Sequence, residues 1–237
     1  MNFMSNKMIS PKLISLRNVK KLYRRGGEEV SIFKNLSLDI GSGEFVAIMG
    51  PSGSGKTTLL NLLGGIDCPD GGEIWFDGGQ IDQLNQAQLT DWRGQNLGFI
   101  FQFYNLMPML SAAQNVELPL LLFNLNRKQR MAQVATALDI VGLSDRARHL
   151  PNELSGGQQQ RVAIARAIVS DPKLILADEP TGDLDRATAD EVLAIMRVLC
   201  RNMGKTIIMV THDPVAAAAA DRVLELDKGE FISKVTV

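Results

Sequence analysis

An α/β fold built on a mostly parallel sheet is the class this sequence predicts, with an antiparallel β part towards the amino-terminal end and a helical part in the middle. Three observations predict it. Continuous apolar runs at residues 45–49, 174–177 and 207–210 have the length and texture of strands covered on both faces. Helical patterns follow them, so strand and helix alternate along the chain. From about residue 103 to residue 165, β-branched runs give way to helical periodicity.

Taken in order, residues 14–19, 31–33 and 36–40 alternate or cluster apolar side chains between turn signals at Arg25-Gly26-Gly27-Glu28 and Gly41-Ser42-Gly43, the pattern of antiparallel strands. Residues 45–49 run as a strand into a glycine loop, and residues 58–63 beyond it are helical in character. Ile74-Trp75-Phe76 before Asp77-Gly78-Gly79 reads as a short strand with its turn, and Phe99-Ile100-Phe101 as another. Residues 131–141 and 159–169 read as helices, and Val192, Leu193, Ile195, Met196 and Leu199 mark one face of an amphipathic helix. Residues 216–220 read as a small-residue helix, and residues 223–226 and 231–232 close the chain as a hairpin around Asp227-Lys228-Gly229.

The 237 residues are 45% hydrophobic and 22% charged, enough for a proper core in one folding unit with two lobes. A net charge of -1 supplies no global basic field, so nucleic acid is not an expected partner. Cys68 and Cys200 have no Cys-x-x-Cys spacing and read as buried reduced thiols in a reducing cytoplasm. Residues 1–10 hold no apolar stretch long enough for a secretory signal. The longest apolar runs, residues 118–123 and 215–220, fall far short of the ~20 residues a spanning helix needs. Any membrane part is therefore expected on another chain.

Chemistry enters at Gly50-Pro51-Ser52-Gly53-Ser54-Gly55-Lys56-Thr57, which fits G-x-x-x-x-G-K-[ST] between a strand and a helix. Glycines let backbone N–H groups curl around phosphate oxygens, the following helix adds its positive end, Lys56 reaches the β- and γ-phosphates, and Thr57 suits Mg²⁺. The run resembles the phosphate loop of P-loop NTPases, and the resemblance implies a P-loop NTPase core. The strand Leu174-Ile175-Leu176-Ala177 ends in Asp178 and Glu179, at the carboxyl edge where an α/β sheet presents ligand groups. Ser155, Gly156 and Gly157 stand immediately before a helical stretch and form a second anion cradle.

The run Leu154-Ser155-Gly156-Gly157-Gln158-Gln159-Gln160-Arg161, with the phosphate loop and the acidic strand, resembles the signature of ABC transporter ATP-binding subunits, and the resemblance covers nearly the whole chain. It implies an ATP hydrolase using ATP and Mg²⁺. Gly50, Ser52, Gly53, Ser54, Gly55, Lys56, Thr57 and Thr58 would hold the phosphates, with Thr57, Gln102 and Asp178 on the metal side. Glu179 would polarise the attacking water, His212 would contact the γ-phosphate, and Gln102 would link nucleotide to membrane subunit. Tyr23 would stack on adenine. Ser155, Gly156, Gly157 and Gln158 would cap ATP bound to a second copy of the chain, and Asp185 would communicate across that dimer. The resemblance further implies an ATP-binding core at about residues 12–101 and 166–237, with a helical subdomain at about 102–165.

Residues 97–108, Asn115-Val116-Glu117-Leu118-Pro119 and Ala177-Asp178-Glu179-Pro180-Thr181-Gly182 look like the LolD, MacB and FtsE branch, which works by mechanotransmission with membrane parts carrying large extracytoplasmic domains, in lipoprotein release, efflux or control of cell-wall hydrolysis; for this chain the implied partners are transmembrane permease subunits on separate chains. One departure is Asp183, where many branch members have Asn. The branch implies a homodimer held peripherally on the cytoplasmic side of the inner membrane. Phe103, Tyr104, Leu106 and Met107, if exposed, suit a groove for a partner helix; the alternative places them in the lobe's own core. Another ABC importer or exporter is the competing reading, and a soluble ABC ATPase a weaker one, because no sustained heptads lie between Lys56 and Asp178.

Overall fold

The computed structural model describes residues 11–25 and 28–236. The amino-terminal reading and the turn glycines Gly26 and Gly27 lie outside them. β1 (Lys12–Arg25) and β2 (Glu28–Gly41) pair antiparallel along their length, so the two segments expected at 31–33 and 36–40 belong to one strand. β3 (Phe45–Met49) leads through the glycine loop into α1 (Lys56–Leu63). β4 (Gly71–Phe76) and β5 (Gly79–Gln80) complete a four-stranded sheet of order β2-β1-β4-β5.

α2 (Gln86–Asn96) precedes β6 (Leu97–Ile100), and the helical part follows with α3 (Ala112–Glu117), α4 (Arg127–Ile140) and α5 (Gly156–Ile168). The chain then returns through β7 (Leu174–Asp178), α6 (Arg186–Met203), β8 (Thr206–Val210), the short α7 (Pro214–Ala217), β9 (Arg222–Asp227) and β10 (Glu230–Thr236). These strands form a second sheet of order β10-β9-β3-β8-β7-β6, parallel except for the β9-β10 hairpin.

The apolar runs are continuous because the parallel sheet is covered on both faces. Val46 and Ile48 of β3, Leu174 and Leu176 of β7, and Ile208 and Val210 of β8 pack with α1 and the antiparallel sheet. Their alternates, Phe45 and Ala47, Ile175 and Ala177, and Ile207 and Met209, pack with α3–α7. Side-chain alternation thus sends each strand into two cores.

Four sequence expectations are corrected. α5 begins at Gly156, three residues before the expected start, because Ser155 caps it: Gln158 N–H donates to Ser155 Oγ at 3.2 Å and Ser155 N–H to Gln158 Oε1 at 3.0 Å. The small-residue helix starts earlier and ends at Ala217, leaving residues 218–220 as a turn and bend. The strand before Gln102 stops at Ile100, and Phe101 stacks on Phe99 with ring centroids 4.3 Å apart. Cys68 is exposed, while Cys200 is buried with its thiol pushed up to about 11 by desolvation.

One close approach ties β6 to α5. A Cβ at Gly98 would stand 2.2 Å from the Ala167 carbonyl oxygen. Gly98→Ala is expected to cost about 1–3 kcal/mol by overpacking, lowering Tm by roughly 2–4 °C per kcal/mol in a chain of this size. Calorimetry checks it.

Candidate active site

The parallel strands aim their carboxyl ends at one cleft of about 730 Å³. The loop after β3 supplies Gly50, Pro51, Ser52, Gly53, Gly55, Lys56, Thr57 and Thr58 to its walls. Asp178 and Glu179 enter from β7, His212 from the end of β8, Gln102 from beyond β6, and Ile32 from β2. Residues far apart in sequence meet because four neighbouring strands end at the same edge.

The loop has the shape a phosphate chain needs. A Cβ at Gly50 would stand 2.1 Å from the Leu226 carbonyl oxygen and 2.8 Å from Ser54 Oγ, so the backbone runs where no side chain fits. At the start of α1 the first N–H groups have no intrahelical acceptor and face the cleft with the helix's positive end. Lys56 Nζ donates to the carbonyls of Gly50 at 2.7 Å and Pro51 at 2.9 Å, which curls the ammonium over the loop. Ser54 is the one residue of the run that does not line the cleft, and its side chain is buried beneath the loop.

The acidic pair is asymmetric. Burial raises the Asp178 carboxyl above its ordinary value, the neighbouring Glu179 raises it further, and Lys56 opposes both. Glu179 sits in the left-handed region at φ 48°, its N–H donating to the Val210 carbonyl at 2.9 Å. His212 Nδ1 lies 2.8 Å from Glu179 Oε1. The imidazole is exposed and the carboxylate half-buried, so β8 places a histidine at the mouth and β7 a carboxylate at the wall.

Other expected residues stand elsewhere. Ser155, Gly156, Gly157 and Gln158 do not line the cleft. Asp185 does not either; it caps α6, accepting from Thr188 N–H at 3.1 Å and Thr188 Oγ1 at 2.6 Å. These two groups adjoin each other: a Cβ at Gly157 would stand 2.1 Å from Thr188 Cγ2. Tyr23 stands beside Thr58, with its hydroxyl donating to Asp67 Oδ2 at 2.7 Å.

Sequence reasoning missed Gln160. Its buried amide donates to the Pro180 carbonyl at 2.5 Å and the Phe101 carbonyl at 3.4 Å, tying α5 to the segments that carry Glu179 and Gln102. Its only signal was its place in the signature run.

The four residues offered for a partner groove divide. Leu106 packs against the core, and Tyr104 turns towards the signature, where a Cβ at Gly156 would meet its hydroxyl oxygen at 3.0 Å. Phe103 and Met107 are exposed. Arg166 pins this loop, donating to the carbonyls of Tyr104 at 2.7 Å and Asn105 at 2.6 Å, with both residues left-handed. A groove of about 250 Å³ lies next to it, lined instead by Phe99, Phe101, Asn105, Pro119 and Leu122 among others.

Residues 33–182 match the ABC transporter family. The chain belongs to that family. It is 46% identical to the lipoprotein-releasing system ATP-binding protein LolD of Chromohalobacter salexigens, over 92% of each chain. It is 48% identical to the macrolide export ATP-binding/permease protein MacB of Salmonella typhi over 93% of its own length, spanning 34% of that longer protein. A dimeric structure of the ATP-binding cassette MJ0796 in a post-hydrolysis state, bound to ADP and Pi, superposes with a TM-score of 0.86 at 42% identity, covering 94% of this chain and 98% of that one. This ABC protein is an ATP-hydrolysing, nucleotide-binding subunit of the LolD/MacB-like branch. No helix among its described residues is long and apolar enough to cross a membrane.

Proposed function

We propose that two copies of this chain close on two ATP molecules and drive a membrane partner that releases lipoproteins or exports a substrate. The observation that carries the reading is the single cleft joining the glycine loop, Asp178, Glu179 and His212. Ser155–Gln158 stand outside that cleft at a helix N-terminus, which suits them to ATP held by a second copy, and the dimeric relative supports this. Asp185 adjoins them at the same seam.

Within each site, Gly50–Gly55 and Lys56–Thr58 bind the phosphates. Mg²⁺ fits the Thr57 hydroxyl, Asp178 and Gln102, a sparse set of hard oxygen donors of the kind this ion combines with water and substrate phosphates. Bound there, it supplies neutralisation of phosphoryl charge. Glu179 accepts a hydrogen bond from the attacking water, and His212 reaches the γ-phosphate while its ring is held by Glu179. Tyr23 is the adenine platform. Residues 12–101 and 166–237 form the ATP-binding core, and 102–165 the helical subdomain.

In this reading the groove at Phe99, Phe101 and Leu122 receives a cytoplasmic helix of a permease on a separate chain, and the subunit works at the cytoplasmic face of the inner membrane. Leu122→Glu, at an exposed side chain on the groove, is expected to cut partner-stimulated ATPase about tenfold, as losing an apolar anchor does, while the Kd for ATP is unmoved. Tyr104 is the poorer test site, because it touches the signature. Capture from native membranes identifies the partner. A chain with few spans and a large extracytoplasmic domain supports the branch; a many-span permease points to another transporter class, and no partner to a soluble ATPase.

A further inference from the structure

We propose that Asp67 is a positioning residue for the base of ATP, acting through Tyr23; this rests on the reading of Tyr23 as the adenine platform. Lys21 and Tyr23 are two apart on β1 and share a face of the strand. Asp67 serves both. One carboxylate oxygen accepts from Lys21 Nζ at 2.7 Å and from Cys68 N–H at 2.7 Å, and the other accepts from the Tyr23 hydroxyl at 2.7 Å. Lys21 is buried, also donates to the Cys68 carbonyl at 2.8 Å, and lies 3.8 Å from Asp70 Oδ2.

The arrangement fixes a plane and a side. Its hydroxyl bound, the Tyr23 ring loses the freedom it would otherwise lose on stacking, so the platform is formed before the base arrives. The Lys21 ammonium lies 5.0 Å from the ring centroid, a cation–π contact that occupies one face. The base therefore takes the other, and Tyr23 is 38% exposed. An ion pair serving only to staple β1 would need Lys21 and Asp67; it would have no use for the phenol.

Asp67 also sets where the platform stands. Its N–H and that of Ile66 both donate to the Asn61 carbonyl, at 3.2 and 2.9 Å, folding the chain back along α1. The same helix presents Thr57 and Thr58 to the cleft, so the two ends of the nucleotide are gauged from one helix.

The test is calorimetric binding of ATP and of inorganic tripolyphosphate, a probe without a base, to the full chain and its variants. Tyr23→Ala is expected to weaken ATP about tenfold, the loss of one stacked base, and to leave tripolyphosphate binding as in the wild type. Tyr23→Phe, which deletes one hydroxyl, and Asp67→Asn should each weaken ATP about threefold without moving tripolyphosphate, and Asp67→Asn should add nothing in a Tyr23→Ala background. If Tyr23→Ala weakens ATP while Tyr23→Phe and Asp67→Asn do not, the platform stands and the role of Asp67 falls. If Tyr23→Ala binds ATP normally, the platform reading falls and takes the proposal with it. Equal loss of both probes in Asp67→Asn also overturns it. Should Asp67→Asn unfold, because it weakens the partner of a buried ammonium, Tyr23→Phe decides with both probes: weaker ATP at unchanged tripolyphosphate supports the proposal, and loss of both points to Thr58, which the hydroxyl also meets, and overturns it.

Discussion

Glu179→Gln is expected to lower kcat by roughly 10²–10⁴-fold, the range for removing a positioned general base, while ATP still binds. The amide keeps the size of the carboxylate and its contact with His212, but it no longer attracts a proton from water. The lysine loop and the helix N-terminus are untouched, so the triphosphate is held as before. Because hydrolysis would reopen the dimer, the variant should accumulate with ATP as a closed pair of cassettes. Single-turnover kinetics measure the chemical step, and sedimentation with and without ATP measures the dimer. Wild-type turnover would remove Glu179 from the chemistry.

Lys56→Ala should act one step earlier. In the wild type the ammonium bonds the Gly50 and Pro51 carbonyls, and in the proposed complex it would exchange them for charged phosphate oxygens. The ammonium makes charge-assisted bonds in either state, but only the phosphate adds an opposite charge, and losing such a bond costs about 1.5–3 kcal/mol. The expected result is an ATP Kd raised on the order of 10²-fold, with no ATP-dependent dimer at concentrations that saturate the wild type. Titration calorimetry checks the first and sedimentation the second. The two variants differ in kind: one binds and stalls, the other never engages.

What the sequence made legible follows from how much each feature depends on its neighbours. β3, β7 and β8 could be read because strands covered on both faces must be apolar throughout. The glycine loop could be read because its chemistry is local to eight consecutive residues. α2 could not, since Leu89 is its one buried residue and it carries no apolar stripe. The signal it offered was the capping box between Asn85 and Gln88. A similar box at Ser155 set the start of α5, and it hid inside a motif being read for phosphate binding.

The loop at Tyr104 and Asn105 was illegible for another reason. Its left-handed backbone is held by Arg166, more than sixty residues along the chain, and no local pattern reports that contact. Leu106, for which the sequence left both a partner groove and the lobe's own core open, is partly buried and packs against the core. The Lys21, Tyr23 and Asp67 cluster is likewise assembled from two distant segments, and only the fold brings them together.

The left-handed backbone of Glu179 bears on how the protein can evolve. A side chain other than glycine costs on the order of 1–3 kcal/mol in sparsely populated backbone regions, and here it carries the carboxylate assigned to hydrolysis. Glycine at 179 would relieve the backbone and silence the enzyme in one substitution. Selection for a hardier fold and selection for turnover therefore pull this position in opposite directions. A lineage released from selection for turnover would be expected to drift there, leaving a stable cassette that no longer burns ATP.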